Sequence, residues 1–214
     1  MKEVLKAVKV KSETVEKIAE QAKVTPTYLT LMATSGVLAA VAFLENSVPV
    51  LIGSMVVAPA LPPVALVAFA IVGGKPGYVG RGVWAGLIGL LLAAGFAIAT
   101  AWLLNITNVF PADSNMLNKP LLEERVNPGW SAVVAALAAG IAGTIALTKD
   151  KHDTLVGVIA ALALVPAAAA AGIALLSQDP ERSLGALKLL AINAGLIIIT
   201  VILTLLIVRP DKTE

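Results

Sequence analysis

Apolar and polar positions are segregated along this chain rather than mixed. Long uncharged runs of Ala, Val, Leu, Ile and Gly alternate with short polar stretches. Runs of this length read as helices that cross a membrane. Six are predicted, over about Thr27–Leu44, Val48–Val72, Val79–Leu104, Trp130–Thr148, Leu155–Leu176 and Leu184–Val208. Thr25-Pro26 opens the first with a cap and a proline at the first helical position. Ahead of it, residues 1–25 form a charged cytosolic segment. There Val15, Ile18, Ala19 and Ala22 recur at helical spacing behind a Ser12 cap, so 13–23 is predicted as one amphipathic helix. The rest divides into a first three-helix repeat (26–104), an extracytoplasmic loop (105–129), a second repeat (130–208) and a cytosolic tail (209–214).

The second run is the one that departs from a plain span. Between Glu45 and Pro63 it carries Pro49, Pro59, Pro62 and Pro63, with Gly53 and Ser54 between them. Each of the last three prolines removes a backbone donor and crowds the preceding turn. Val48–Ala58 alone would reach about 16 Å at 1.5 Å per residue. That is roughly half of a hydrocarbon core about 30 Å thick. A break at mid-membrane is tolerated only where protein or a water-filled cavity covers the freed backbone groups. Pro166 falls near the middle of the fifth run and predicts a second break.

Sliding the chain on itself by 104 residues aligns Gly36 with Gly140, Gly53 with Gly157, Pro62 with Pro166 and Pro76 with Pro180, without a gap. Three spans per half is an odd number, so the second half enters from the opposite side. The predicted fold is therefore an all-α integral membrane protein: six transmembrane helices arranged as two inverted three-helix repeats, with helices 2 and 5 broken at proline. Broken helices in matching positions are the sequence pointer to a midplane binding site.

Composition agrees and narrows the chemistry. The chain of 214 residues is 58% hydrophobic and 14% charged, where soluble domains average nearer a quarter charged. A net charge of +2 gives no reason to expect nucleic acid, and the absence of cysteine removes disulfides and thiolate chemistry. Lys and Arg number 12 in the segments that lie inside if the N-terminus is cytoplasmic, against 4 outside. This bias places both termini in the cytoplasm of a cell (inner or plasma) membrane. Gly73-Gly74-Lys75-Pro76-Gly77 is a turn and not a phosphate loop, since Pro76 stands where Ser or Thr is required.

The candidate substrate- or ion-binding residues are Asn46, Ser54, Pro62, Pro63, Pro166 and Asn193. Asn46, Ser54 and Asn193 would coordinate through polar atoms, and the prolines would expose carbonyls. Each has a plainer alternative: Asn46 and Ser47 cap a helix, Ser54 bonds back one turn, and Asn193 ties helices together. Asp150 and Lys151 match Asn46 and Ser47 in the second half. Glu45 adjoins the entry to the broken helix, and Lys188 snorkels from the sixth span. Gly82, Gly86 and Gly89 form a groove for close helix approach, in the monomer or in a homo-oligomer. His152 is the sole histidine, so no metal site is expected. No cofactor and no enzyme activity are expected either, because no paired carboxylates or nucleophile–base sets share one depth.

Asn46-Ser47, Gly53-Ser54-Met55, Pro59 and Pro62-Pro63 resemble the signature of an uncharacterised prokaryotic membrane family, domain of unknown function 389. Asn127-Pro128 and the late Asn193 look like its second-half landmarks. The resemblance covers about residues 27–208. Pro63 stands where that family has a Gly-Pro pair, and Ala167 replaces a second proline after Pro166. The resemblance implies a multi-span membrane protein and no established activity. The residues themselves suggest a transporter or channel for a small neutral solute or cation, with membrane lipid as surroundings. The alternative is a non-transporting assembly or regulatory protein with a cytosolic partner.

Overall fold

The computed structural model describes residues 12–107, 119–127, 129–148, 154–176 and 180–208, and every element among them is an α-helix. In chain order these are α1 (Ser12–Gln21), α2 (Pro26–Glu45), α3 (Val48–Val57), α4 (Leu61–Val72), α5 (Pro76–Ile106), α6 (Pro120–Val126), α7 (Trp130–Thr148), α8 (Thr154–Ala174) and α9 (Pro180–Val208). Met1–Lys11, the Asp150-Lys151 pair, His152, Pro128 and the tail 209–214 lie outside the described residues.

The helix starts follow local chemistry. Thr25 Oγ1 accepts a hydrogen bond from the Tyr28 amide at 3.1 Å, and Pro26 occupies the first turn of α2. The same helix ends at Asn46, whose φ of 53° lies in the left-handed region. Asparagine tolerates that conformation better than other side chains, so it closes a helix. Pro120 and Pro180 begin α6 and α9, positions where the missing amide costs no bond.

Three helices, α2, α5 and α9, are long and apolar enough to cross a membrane. Taken as one span, α3 and α4 make a fourth, bent by 52° at the break between them. The stretches Ala132–Thr148 and Leu164–Ala174 are apolar but shorter, so the described residues carry three or four candidate spans against the six predicted. On α5, Trp84 and Trp102 are 65% and 56% exposed. Eighteen residues separate them, which is five whole turns and about 27 Å. Two exposed indoles on one face, roughly a hydrocarbon thickness apart, mark the two interfacial belts of a membrane helix.

The core is organised around α4. From Pro63 to Ala70 every residue is buried, so this helix is covered on all sides, with α1, α5 and α9 packed against it. Its partner half α3 sits at the rim: Val48, Ile52 and Val56 recur at every fourth position and are about half exposed. The break therefore carries the chain from the periphery to the centre. In the second half the run Leu164–Ala174 is likewise buried throughout.

The expected break at Pro166 is absent: α8 continues from Thr154 to Ala174 with that proline inside it. One proline removes a single donor, and the flanking rungs hold the helix together. Pro59, Pro62 and Pro63 lie so close that the carbonyls of Met55, Ala58 and Pro59 all lose their helix donors. That density, rather than proline as such, divides α3 from α4.

Glycines decide how closely the helices approach. At Gly36 a Cβ would lie 2.8 Å from the Ala93 carbonyl carbon. At Gly140 one would lie 2.6 Å from Thr200 Cβ and 3.2 Å from the Ile197 oxygen. The Gly82-Gly86-Gly89 groove serves the monomer's own fold. A Cβ at Gly82 would sit 2.7 Å from the Pro63 oxygen, and one at Gly86 3.6 Å from Pro63 Cβ. Gly89 receives the Tyr28 side chain, whose hydroxyl donates to the Ala85 carbonyl at 2.9 Å. Because Tyr28 meets Gly89 and Gly36 meets Ala93, α2 and α5 run parallel.

Candidate functional site

The break itself is the candidate site. Ser54, on the last turn of α3, is fully buried, and its hydroxyl donates to the Leu51 carbonyl at 2.7 Å. The hydroxyl of Ser35, equally buried on α2, donates to the Ser54 carbonyl at 2.9 Å. Two hydroxyls and a main-chain carbonyl are thus gathered at the end of α3, one residue before the donorless Met55 carbonyl. Ala58, Ala60 and Leu61 are buried around the break, whereas Pro59 and Pro62 are partly exposed. A site of this composition holds only neutral dipoles. It can offer lone pairs to a cation or to the donors of a neutral solute, and it has no charge with which to hold an anion.

The six residues singled out from sequence do not form one cluster. Ser54, Pro62 and Pro63 meet at the break. Pro63 is buried and pressed on Gly82 of α5. Pro166 is buried in α8, which packs on α3, and Asn193 is 2% exposed in α9, which packs on α4. Asn46 stands apart, exposed at the end of α2, where its Oδ1 accepts from the Leu121 amide at 3.1 Å. It caps α2 and pins the short helix α6. Ser47 takes the N-cap position of α3 without a side-chain cap bond, and Glu45 is exposed.

Sequence reasoning missed Ser35. A lone serine in an apolar run carries no signal of its own, although its place beside Gly36, at the tightest crossing of α2, is a hint in hindsight. It also missed a row of hydroxyls where α7 meets α9. Thr144 and Thr204 are buried and bond back to the Gly140 and Thr200 carbonyls, both at 2.7 Å. Thr200 Oγ1 is buried with no hydrogen-bond partner among the described residues.

At the end of the molecule where α4 stops, Lys75 gathers the polar face of α1. Its Nζ lies 2.7 Å from Glu16 Oε1 and contacts the Ser12 hydroxyl. The Lys75 hydrogen bond, with that of Ser12 and the Lys75 charge, holds the Glu16 carboxyl below its ordinary value. Val15, Ile18, Ala19 and Ala22, the predicted apolar stripe, are all buried, and α1 packs on α4. The amphipathic helix is thus docked over the inner half of the broken element.

The profile of Domain of unknown function (DUF389) matches residues 55–199, more than half of the chain. The chain belongs to this family. The match takes in Met55, Pro59, Pro62-Pro63, Pro166 and Asn193, and begins after Asn46, Ser47 and Ser54. An uncharacterised protein of Methanocaldococcus jannaschii is 25% identical over 163 residues, which is 76% of this chain and 48% of that protein. The chain therefore spans about half the length of this family relative. No solved structure matches it significantly.

Proposed function

We propose that the chain is a six-span protein of the cell membrane, with both termini cytoplasmic, that passes a small neutral solute or a cation along the α3–α4 break. The observation that carries this reading is the cluster at the break: the Ser35–Ser54 hydrogen bond beside carbonyls stripped of their donors by Pro59, Pro62 and Pro63. Such backbone is costly in lipid unless something polar uses it.

The inverted-repeat arrangement draws support from equivalent contacts. Shifted by 104 residues, the Gly36–Ala93 crossing corresponds to Gly140–Ile197, and both are close approaches at a glycine. The buried run of α4 likewise corresponds to that of α8. Direction agrees as well. Both Asn46, at the end of α2, and Gly185, near the start of α9, meet α6, so α9 begins where α2 ends. Transport architectures built this way alternate access by rocking one repeat against the other.

The test exploits a chain without cysteine. Single cysteines at Ser54 and Ala60, in protein sealed into vesicles, are exposed to membrane-impermeant thiol reagents from each side. The expected result is labelling at both positions, with solute flux that the modification blocks. Inert cysteines at the break, beside reactive ones at Lys23 and Glu45, would remove the aqueous path on which the proposal depends.

A further inference from the structure

The row of threonines where α7 meets α9 contains a hydroxyl that the helices themselves do not use. A threonine inside a helix commonly donates to the carbonyl one turn earlier. Thr30, Thr34, Thr100, Thr144, Thr148 and Thr204 all do so here. Thr200 does not. It is 5% exposed, and its Oγ1 is buried with no hydrogen-bond partner among the described residues. A buried hydroxyl without a partner is destabilising unless a bound molecule satisfies it.

Its surroundings offer no vacant acceptor. Thr200 stands directly on Gly140 of α7, where a Cβ would lie 2.6 Å from the Thr200 Cβ. The Gly140 carbonyl accepts from the Thr144 hydroxyl at 2.7 Å as well as from the helix ladder, which occupies both lone pairs. The Thr200 carbonyl is occupied in the same way by Thr204. Ile197, Val201 and Leu205, fully buried on the same helix, carry apolar side chains.

Three buried hydroxyls border this crossing. Thr200 and Thr204 are one turn apart on one face of α9. One helix, α8, carries the chain back between α7 and α9, so those two run parallel. Thr144 therefore lies one turn past Gly140 in the direction in which Thr204 lies one turn past Thr200. Thr144 and Thr204 have used their hydrogens and offer lone pairs, whereas Thr200 still has a hydrogen to donate. The complement is a small neutral molecule with two donors and one acceptor, which is the pattern of water. A cation would take the lone pairs and leave the Thr200 hydrogen unpaired; an anion would meet a single donor. Buried waters make about three hydrogen bonds to groups of this kind.

We propose that Thr144, Thr200 and Thr204 bind one structural water between α7 and α9. The 104-residue shift pairs Gly140 with Gly36, the neighbour of Ser35, so each half keeps buried hydroxyls beside a close glycine crossing. The site is separate from the break and is read through stability. Failure of the flux test leaves it standing, and its own failure leaves transport standing.

The test is the sign of a stability change, measured on the full chain in detergent. Thr200→Val keeps the shape of the side chain and removes the hydroxyl. With water bound, the melting temperature is expected to fall by about 3 °C, the scale of one hydrogen bond in a chain of this size. In dry packing the same change deletes an unpaired hydroxyl, so an unchanged or higher melting temperature overturns the proposal. Thr144→Val should lower it too, and the double variant should lose less than the two single variants together, because both act through one water. Additive losses overturn the shared site. Should Thr200→Val fail to fold, Thr144→Val and Thr204→Val decide, since their hydroxyls matter in a hydrated site and are nearly neutral in a dry one. Crystals of the wild type should show density about 2.7–3.0 Å from all three hydroxyl oxygens, absent from Thr200→Val. Density at about 2.4 Å with further oxygen ligands assigns a cation and overturns the water.

Discussion

At the scale of single residues, the glycines separate into those that packing requires and those it does not. Gly36 lies against the Ala93 backbone, which cannot move aside as a flexible side chain can, while Gly53 has open space around it. Gly36→Ala is therefore expected to destabilise by about 1–3 kcal/mol through overpacking. Gly53→Ala should be neutral or stabilise by up to about 1 kcal/mol, since it only improves helix propensity. Thermal unfolding of the two variants in the same detergent checks the contrast. Sequence alignment of the two halves treated these positions alike, because a repeat match reports that a glycine recurs and not what it touches. Asn46 teaches the same caution. Its amide stood out as a polar group at the mouth of a broken helix, yet its left-handed φ and its bond to Leu121 engage both its backbone and its side chain in capping.

At the scale of elements, the α3–α4 break and the docked α1 are the two devices worth perturbing. Pro59→Ala returns a donor to the Met55 carbonyl, and a proline within a helix costs about 3 kcal/mol. The variant should be more stable, less bent than 52° and slower in flux. Spin labels at Ile52 and Ile71, both exposed, would report the straightening as a longer distance. The docking of α1 should respond to acid. Because Glu16 is held below its ordinary 4.5 when α1 is docked, its contribution is present above 4.5 and is lost as the pH falls through the lower, docked value. Hydrogen exchange along α1 should accelerate only in that acid range, and Glu16→Gln should abolish the pH dependence. The exposed position of the pair means that the apolar stripe carries most of the affinity.

At the scale of the whole molecule, the placement in the bilayer is set by α5. With two of the three tryptophans changed to phenylalanine, the remaining Trp84 or Trp102 should each be quenched most strongly by brominated lipids labelled near the headgroup, and weakly by those labelled at the chain ends. Equal depths in opposite leaflets would match a tilted span of about 27 Å between the indoles. Strong quenching from the chain ends at either position would displace the slab. Lys75 and Arg81 lie 5.7 and 5.2 Å from the Tyr78 ring, on the same end as the docked α1, and gather positive charge there. In the proposed orientation that end faces the cytoplasm.

The amino-acid sequence alone placed the long helices to within a few residues, because the length of an apolar run, a capping threonine and a proline act through local backbone chemistry, but it left α6 inside a predicted loop. It also determined that the second run must break, since three prolines within one turn leave no ladder to hold. Tertiary packing decided the rest. The covering of α4 on every side depends on the neighbours that surround it, while α3, of similar composition, is left at the rim. Ser35 meets Ser54 because α2 and α3 fold back on each other, a contact that spacing cannot predict. The hydroxyls around Gly140 gather only because α7 and α9 cross there. Pro166 stays within a continuous helix because a single lost rung is held by those on either side. Local rules carry the helix boundaries; which faces meet, and therefore where polar groups gather, is settled only when the helices pack.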